Sequence, residues 1–273
     1  MNPIQEWKNL QDGSFLYRAV EFDQEESYWS RYAVNYDIRR HQGKCIENEL
    51  RTVLDLLTED MSVLEIGAGT GIITTHIAEK VKRVTVVEPS PSMIGVLDHH
   101  LEWKGIKNVT VIQSKWEDAD VETHDVVIAA GCLYVFYDIE KALKKMIEKA
   151  EKLLVLAHGI NRHGDIYREA SELMGVNPPL SGPDYINLYK VLCHMGIYGN
   201  INILRSKGEI IYDDMDHAVN IWAERMSIEQ DRINILKKYL EEKVIRLPSG
   251  KLSIGSHERL NAIIWYSFAD IPD

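Results

Sequence analysis

Between residues 62 and 157, short runs of consecutive apolar residues alternate with stretches whose apolar positions recur every three or four residues. The runs 62–66, 83–88, 109–113, 125–130 and 153–157 read as strands, and 71–80, 91–103 and 138–150 as helices. Runs that are apolar on both faces, separated by helical stretches, predict parallel strands with crossover helices. Upstream, Ile46, Leu50, Val53, Leu54 and Leu57 predict a helix over 44–57. Downstream, 164–198 reads as helical, interrupted at Asn177-Pro178-Pro179 and Ser181-Gly182-Pro183. A strand at 200–204 is expected to turn at Lys207-Gly208 into another at 209–212, as in a hairpin. Helices at 216–225 and 228–243 follow, and Asn261–Ser267 is the last strand. The expected fold class is α/β with a doubly wound, mostly parallel sheet, whose ligands bind beyond the strand C-termini.

At the end of the first strand stands Glu65-Ile66-Gly67-Ala68-Gly69-Thr70-Gly71, with glycine at every second position of the loop. Such a loop lets backbone approach a ligand closely, and the N-terminus of a following helix favours an anion. A dinucleotide fingerprint requires glycine two and five residues after the first. Ile72 breaks it when counted from Gly67, and Thr74 breaks it when counted from Gly69. A nicotinamide or flavin pattern is therefore absent in both frames.

The E-x-G-x-G-x-G arrangement resembles the first motif of the class I S-adenosylmethionine-dependent methyltransferases, and the resemblance extends from about Tyr28 to Leu204. It implies a Rossmann-like, seven-stranded sheet whose last two strands are antiparallel, S-adenosyl-L-methionine as cofactor, and methyl transfer as the activity. It also implies an N-terminal helical lid (1–58), a cofactor-binding core (59–212, with the helices of 164–198), a helical insertion (213–245) and a final core strand (246–273).

Each part of the cofactor asks for different chemistry. Gly67, Gly69 and Gly71 would admit its methionine end, with Glu65 reaching the ammonium or, alternatively, only capping the turn. Glu88, about 20 residues beyond the first glycine, suits the ribose diol, since a carboxylate accepts from both hydroxyls. Pro89, Ser90 and Met93 would border the adenine. Relatives place an Asp where Lys115 stands, so Trp116, Glu117 or Asp118 are the alternatives for the adenine contact. Gly131 and Tyr134 would flank the sulfonium and the donated methyl. The segment Trp29, Ala33, Tyr36 and Asp37 fits a W-x-x-x-A-x-x-Y-D motif of such lids, and Tyr28, Tyr32 and Tyr36 share one helical face. Aromatic faces attract onium cations; ordinary helix packing is the alternative for that stripe.

Composition narrows the partners. The formal net charge is −11 and the pI about 5.4, which argues against nucleic acid as substrate and suits a small neutral or cationic molecule. Cys45, Cys132 and Cys193 are widely spaced and are expected to be reduced thiols. The longest apolar run, 126–136, is too short to span a bilayer, and 1–13 lacks a signal-peptide core; a cytoplasmic protein without membrane partners is expected. No metal site is expected: His158 and His163 lack a third ligand. His158, at a strand end, is with Tyr134 a candidate general base, followed by His163 and His41, whereas His99-His100 reads as solvated. The charged stretches 140–152 and 237–243 read as solvated helix faces, and Asn177-Pro178-Pro179-Leu180 as a loop. Tyr185, Tyr189, His194, Tyr198 and Trp222 either line an acceptor pocket or pack the accessory helices. The expected activity is methyl transfer to a small soluble acceptor by in-line displacement. The alternatives are methylation of a protein side chain, a non-catalytic cofactor-binding module, and aminopropyl transfer.

Overall fold

The computed structural model describes residues 2–14, 17, 26–30, 33, 36–37, 45–159, 164–177 and 182–268. Eight strands form one sheet in the order β3-β2-β1-β4-β5-β8-β6, with the short β7 paired beside β8. β1 (Ser62–Ile66), β2 (Arg83–Glu88), β3 (Val109–Gln113), β4 (His124–Ala130) and β5 (Ala150–Gly159) run parallel. β8 (Leu252–Ser267) returns antiparallel to β5, and β6 (Asn200–Tyr212) antiparallel to β8.

The side-chain period of two divides these strands between two apolar layers. Leu64 and Ile66, Val127 and Ala129, and Leu154 and Leu156 face one layer, built with Trp7, Leu143, Leu188 and Val191. Those come from α1 (Pro3–Gly13), α5 (Ile139–Lys149) and α7 (Tyr185–His194). Val63, Val126, Ile128, Leu153 and Val155 face the other, with Val53, Ile77 and Leu97 from α2 (Cys45–Asp55), α3 (Thr74–Ala78) and α4 (Pro91–Lys104). α4 is bounded by identifiable caps: the Ser90 hydroxyl accepts from Met93 N, and Gly105 ends it in the left-handed region.

Two expectations are corrected. The helix placed at 71–80 is only Thr74–Ala78, so the glycine loop is longer than expected. No hairpin turn interrupts 200–212: Lys207 and Gly208 pair in register with Glu258 and His257 of β8, and a bulge follows at Glu209/Ile211. A glycine read locally as a turn is carried through because β8 extends 16 residues and offers an unbroken partner.

The far ends of β6 and β8 carry a third apolar core. Tyr212 and Leu252 meet Tyr167 and Met174 of α6 (Gly164–Met174), Trp222 of α8 (Met215–Met226), and Leu236 and Tyr239 of α9 (Ile233–Lys243). β7 (Ile245–Arg246) closes this layer. Among the described residues, no helix is long and apolar enough to cross a membrane.

Candidate functional site

The order of the sheet changes direction between β1 and β4, and a pocket opens at the C-terminal ends of β1, β2 and β4. That is where ligands bind in open α/β sheets. Its floor is Gly67, Gly69, Glu88, Gly131 and Cys132; Pro89, Met93, Trp29, Tyr36, Tyr134 and Val135 form its sides.

The three loop glycines all have positive φ, but for different neighbours. A Cβ on Gly67 would lie 2.5 Å from Cys132 Cβ, and one on Gly71 2.2 Å from Leu97 Cδ1. At Gly69 a Cβ would meet nothing within 4 Å. Gly67 and Gly71 are thus required by close packing, and only at Gly69 of the three would an added Cβ enter open space. Gly71 is not a pocket wall, because Leu97 covers it.

Glu88 is the polar centre of the floor. It is 5% exposed, and its Oε2 accepts from Gly69 N at 2.8 Å while Oε1 accepts from Ser90 N at 3.0 Å. Each carboxylate oxygen has a second lone-pair site, so this pair of bonds orients the group and leaves acceptor capacity. Glu65 lies elsewhere: it is buried at the far side of the loop, where Oε2 accepts from the Thr74 hydroxyl at 2.7 Å. Burial pushes its carboxyl up to about 7. It braces the loop against α3 and does not line the pocket.

Other sequence candidates separate similarly. Trp116 is buried, its Nε1 donating to Ala142 O at 3.1 Å, and Glu117 is exposed. Neither reaches the pocket, because Lys145 Nζ binds the carbonyls of Trp116, Glu117 and Ala119 and holds that turn against α5. Lys145 is therefore a staple within a stretch expected to be a solvated face. His158 is buried beneath Trp7, with Nε2 2.9 Å from Pro183 O, and is not a pocket wall. A carbonyl only accepts, so Nε2 carries the proton; burial lowers the affinity of the ring for a second. These contacts remove His158 as a base at this pocket. Tyr28 stands edge-on to Trp29, with centroids 5.0 Å apart, behind the wall. Trp222 is fully buried in the third core, donating to Tyr212 Oη, and Tyr189 Oη donates to Gly199 O. Tyr32, His41 and His163 lie outside the described residues.

Several contacts were not anticipated. Trp7 Nε1 donates to Phe136 O at 2.8 Å and Gln11 Nε2 to Tyr134 O at 2.6 Å, so α1 fixes the segment after β4 that supplies Tyr134 and Val135. The signal was an N-terminal apolar Trp on a helix-forming stretch, with nothing local to name its partner 129 residues away. His100, expected to be solvated, has Nδ1 3.0 Å from Thr70 O and Nε2 3.4 Å from an Asp37 oxygen. Asp37 also accepts from the Thr70 hydroxyl. The last residue of the W-x-x-x-A-x-x-Y-D segment is thus tied to the glycine loop. Cys132 Sγ contacts Ile66 O at 3.1 Å, and burial pushes its thiol up, so it is an un-ionised packing group. Among the described residues, no three His, Cys, Asp or Glu side chains gather as a metal site requires.

Comparison with known proteins agrees with this geometry. Residues 63–154 match a family model described as a methyltransferase domain. The chain is 26% identical over 102 residues to a probable ribosomal RNA small subunit methyltransferase A from Methanosphaera stadtmanae, covering 36% of this chain and 38% of the relative. It is 26% identical over 104 residues to a probable cobalt-precorrin-6B C(15)-methyltransferase (decarboxylating) from Methanobrevibacter smithii, covering 37% of this chain and 56% of the relative. The match thus spans 38% of the first curated relative and 56% of the second. A candidate methyltransferase from Bacillus halodurans C-125 shares the fold with a TM-score of 0.55 at 14% identity, over 81% of this chain and 97% of that one. Residues 63–154 are thus similar to methyltransferase domains, and the fold is that of such proteins.

The pocket fits S-adenosylmethionine, the cofactor that the sequence resemblance implies. A glycine cradle that a Cβ would fill, a buried acceptor pair at Glu88 and an apolar slot between Pro89, Met93, Tyr36 and Trp29 match an amino-acid tail, a diol and a purine respectively.

Proposed function

We propose that this protein transfers the methyl group of S-adenosylmethionine to a small-molecule acceptor by in-line displacement. The observation that carries the reading is the juxtaposition of Gly69, open and at positive φ, with the two-handed acceptor Glu88 in one pocket. In this reading Gly67 and Gly69 take the methionine end, Glu88 the ribose hydroxyls, and Pro89 and Met93 the adenine. Gly131 leaves room beside the reacting carbon, and Tyr134 and Val135 bound the acceptor. The cofactor supplies a methyl group on a sulfonium, a leaving group that needs no protonation.

What the chain contributes is mainly position. Holding two reactants in line accounts for roughly 7–11 kcal/mol of barrier, whereas a general base contributes about 3–5 kcal/mol. Among the described residues no histidine lines the pocket, which is compatible with efficient transfer to an acceptor that is already nucleophilic. The apolar aromatic walls Trp29 and Tyr36 exclude water, and a cation such as a sulfonium is attracted to their faces. A net charge of −11 favours a compact acceptor over a nucleic acid.

The test is incubation of the purified protein with methyl-labelled S-adenosylmethionine and a metabolite extract freed of macromolecules, then with a protein fraction. Label entering small molecules supports the proposal. Label entering protein alone would establish the side-chain reading, and bound cofactor with no transfer would identify a binding module.

A further inference from the structure

Two sides of the pocket are tied together by contacts made just outside it. Thr70 is fully buried in the glycine loop, next to Gly69 of the floor. Its hydroxyl donates to Asp37 Oδ1, and its carbonyl oxygen lies 3.0 Å from His100 Nδ1. The other ring nitrogen, Nε2, lies 3.4 Å from Asp37 Oδ2. Asp37 directly follows Tyr36, an aromatic wall of the pocket. His100 therefore bridges a carbonyl on the floor side and a carboxylate on the wall side. Both ring nitrogens face acceptor atoms, and the imidazolium form donates from each.

The bridge stands on a rigid support. α4 is capped at both ends and buries Leu97, and its first turn carries Met93, another wall of the pocket. The His100 and Asp37 side chains keep 30% and 27% of their exposure, and partly exposed ion pairs contribute little to folding. What such a contact does supply is position. A ligand that reaches from the aromatic slot to the glycine cradle needs both sides at one spacing, and holding them there in advance removes an ordering cost from binding.

We infer that His100 is a positioning residue for the cofactor site: acting through Asp37, it fixes the Tyr36 wall against the Gly69 floor. A ligand spanning wall and floor depends on that spacing, and a ligand seated in the aromatic slot alone does not. The inference rests on the cofactor reading above, with the adenosine in the slot and the amino-acid tail in the cradle.

Calorimetric titration of the intact protein with S-adenosylhomocysteine and with 5′-methylthioadenosine, which lacks the amino-acid tail, tests it without turnover. His100→Phe keeps a ring on α4 and removes both polar contacts. It should bind S-adenosylhomocysteine about tenfold more weakly, the scale of one charge-assisted hydrogen bond, and 5′-methylthioadenosine within about twofold of the wild type. Asp37→Asn, which keeps an acceptor for the Thr70 hydroxyl, should show the same split. Adding His100→Phe to it should cost less than about twofold more, because the two residues act as one unit. His99→Phe changes the exposed neighbour whose ring centroid lies 6.3 Å from that of His100, and it should bind both ligands as the wild type does. Equal losses of the two ligands, no loss in His100→Phe, additive losses in the double variant, or a matching loss in His99→Phe would each overturn the assignment. Urea unfolding of each variant without ligand exposes a folding defect, which weakens both ligands alike and does not produce the split. If the wild type binds neither ligand, the cofactor reading itself falls; if it binds both and the variants follow it, the positioning role alone falls.

Discussion

Placing alanine in turn at Gly67, Gly69 and Gly71 separates what each glycine does. All three hold positive φ, so an L side chain costs about 1–2 kcal/mol at each. Beyond that the sites diverge. At Gly71 the new Cβ would sit 2.2 Å from Leu97 Cδ1, in a fully buried side chain, and at Gly67 2.5 Å from Cys132 Cβ, next to backbone. Such overpacking adds about 1–3 kcal/mol. Gly71→Ala and Gly67→Ala should therefore lose about 2–5 kcal/mol of stability and Gly69→Ala only about 1–2. Affinity should rank in the opposite sense relative to stability lost. The Gly69 methyl would occupy cradle space, and S-adenosylhomocysteine should bind about tenfold more weakly for each ~1.4 kcal/mol of steric penalty. Urea unfolding without ligand measures the first quantity and calorimetry the second. Gly69→Ala with native affinity, or with a stability loss as large as that of Gly71→Ala, would show that the open glycine is not the cradle.

Other expectations follow from single contacts. Glu65 is pushed up to about 7 in the folded protein against an ordinary 4.5. Between those values the folded state holds a proton that the unfolded chain has released. Its contribution is therefore complete below the unfolded value and lost as pH rises to about 7. Glu65→Gln should flatten that dependence, by roughly 3 kcal/mol at most, in a urea-unfolding series across the window. Trp7→Ala should cost about 3–5 kcal/mol in the same assay, and Trp7→Phe, which frees the Phe136 carbonyl while keeping an aromatic ring, distinctly less. Thr70→Val removes the hydroxyl that Asp37 accepts; it should weaken S-adenosylhomocysteine binding severalfold while leaving unfolding within about 1 kcal/mol of the wild type, and an unchanged affinity would show that this tie has no bearing on the pocket.

How much of this was legible beforehand depends on whether the signal was local. β1, β2 and β3 fall where apolar runs put them, because buried parallel strands carry that signature on both faces. The glycine loop and Glu88 were readable from spacing, since a strand end and its following turn are set by near neighbours. The pairing of β6 with the long β8 was not readable: Gly208 signals a turn locally, and only a partner some fifty positions on makes it a strand residue. The same applies to His100 and Trp116. Helical periodicity says which face a residue is on, but not that Thr70 lies beside His100, or that Lys145 binds three carbonyls around Trp116. Glu65 is a case of correct chemistry and wrong direction. An acid at the strand end was visible, but the alternation along β1 turns its side chain to the layer opposite Leu64 and Ile66, where Thr74 receives it.

The central claim, that this pocket holds an amino-acid-tailed nucleoside between Gly69 and Glu88, is tested most directly by calorimetric titration of the intact protein and of Glu88→Ala with S-adenosylhomocysteine and with a nicotinamide dinucleotide. The account predicts saturable binding of S-adenosylhomocysteine alone, weakened at least tenfold in Glu88→Ala by loss of the ribose acceptor. Binding of the dinucleotide instead, or an affinity for S-adenosylhomocysteine indifferent to Glu88, would contradict it.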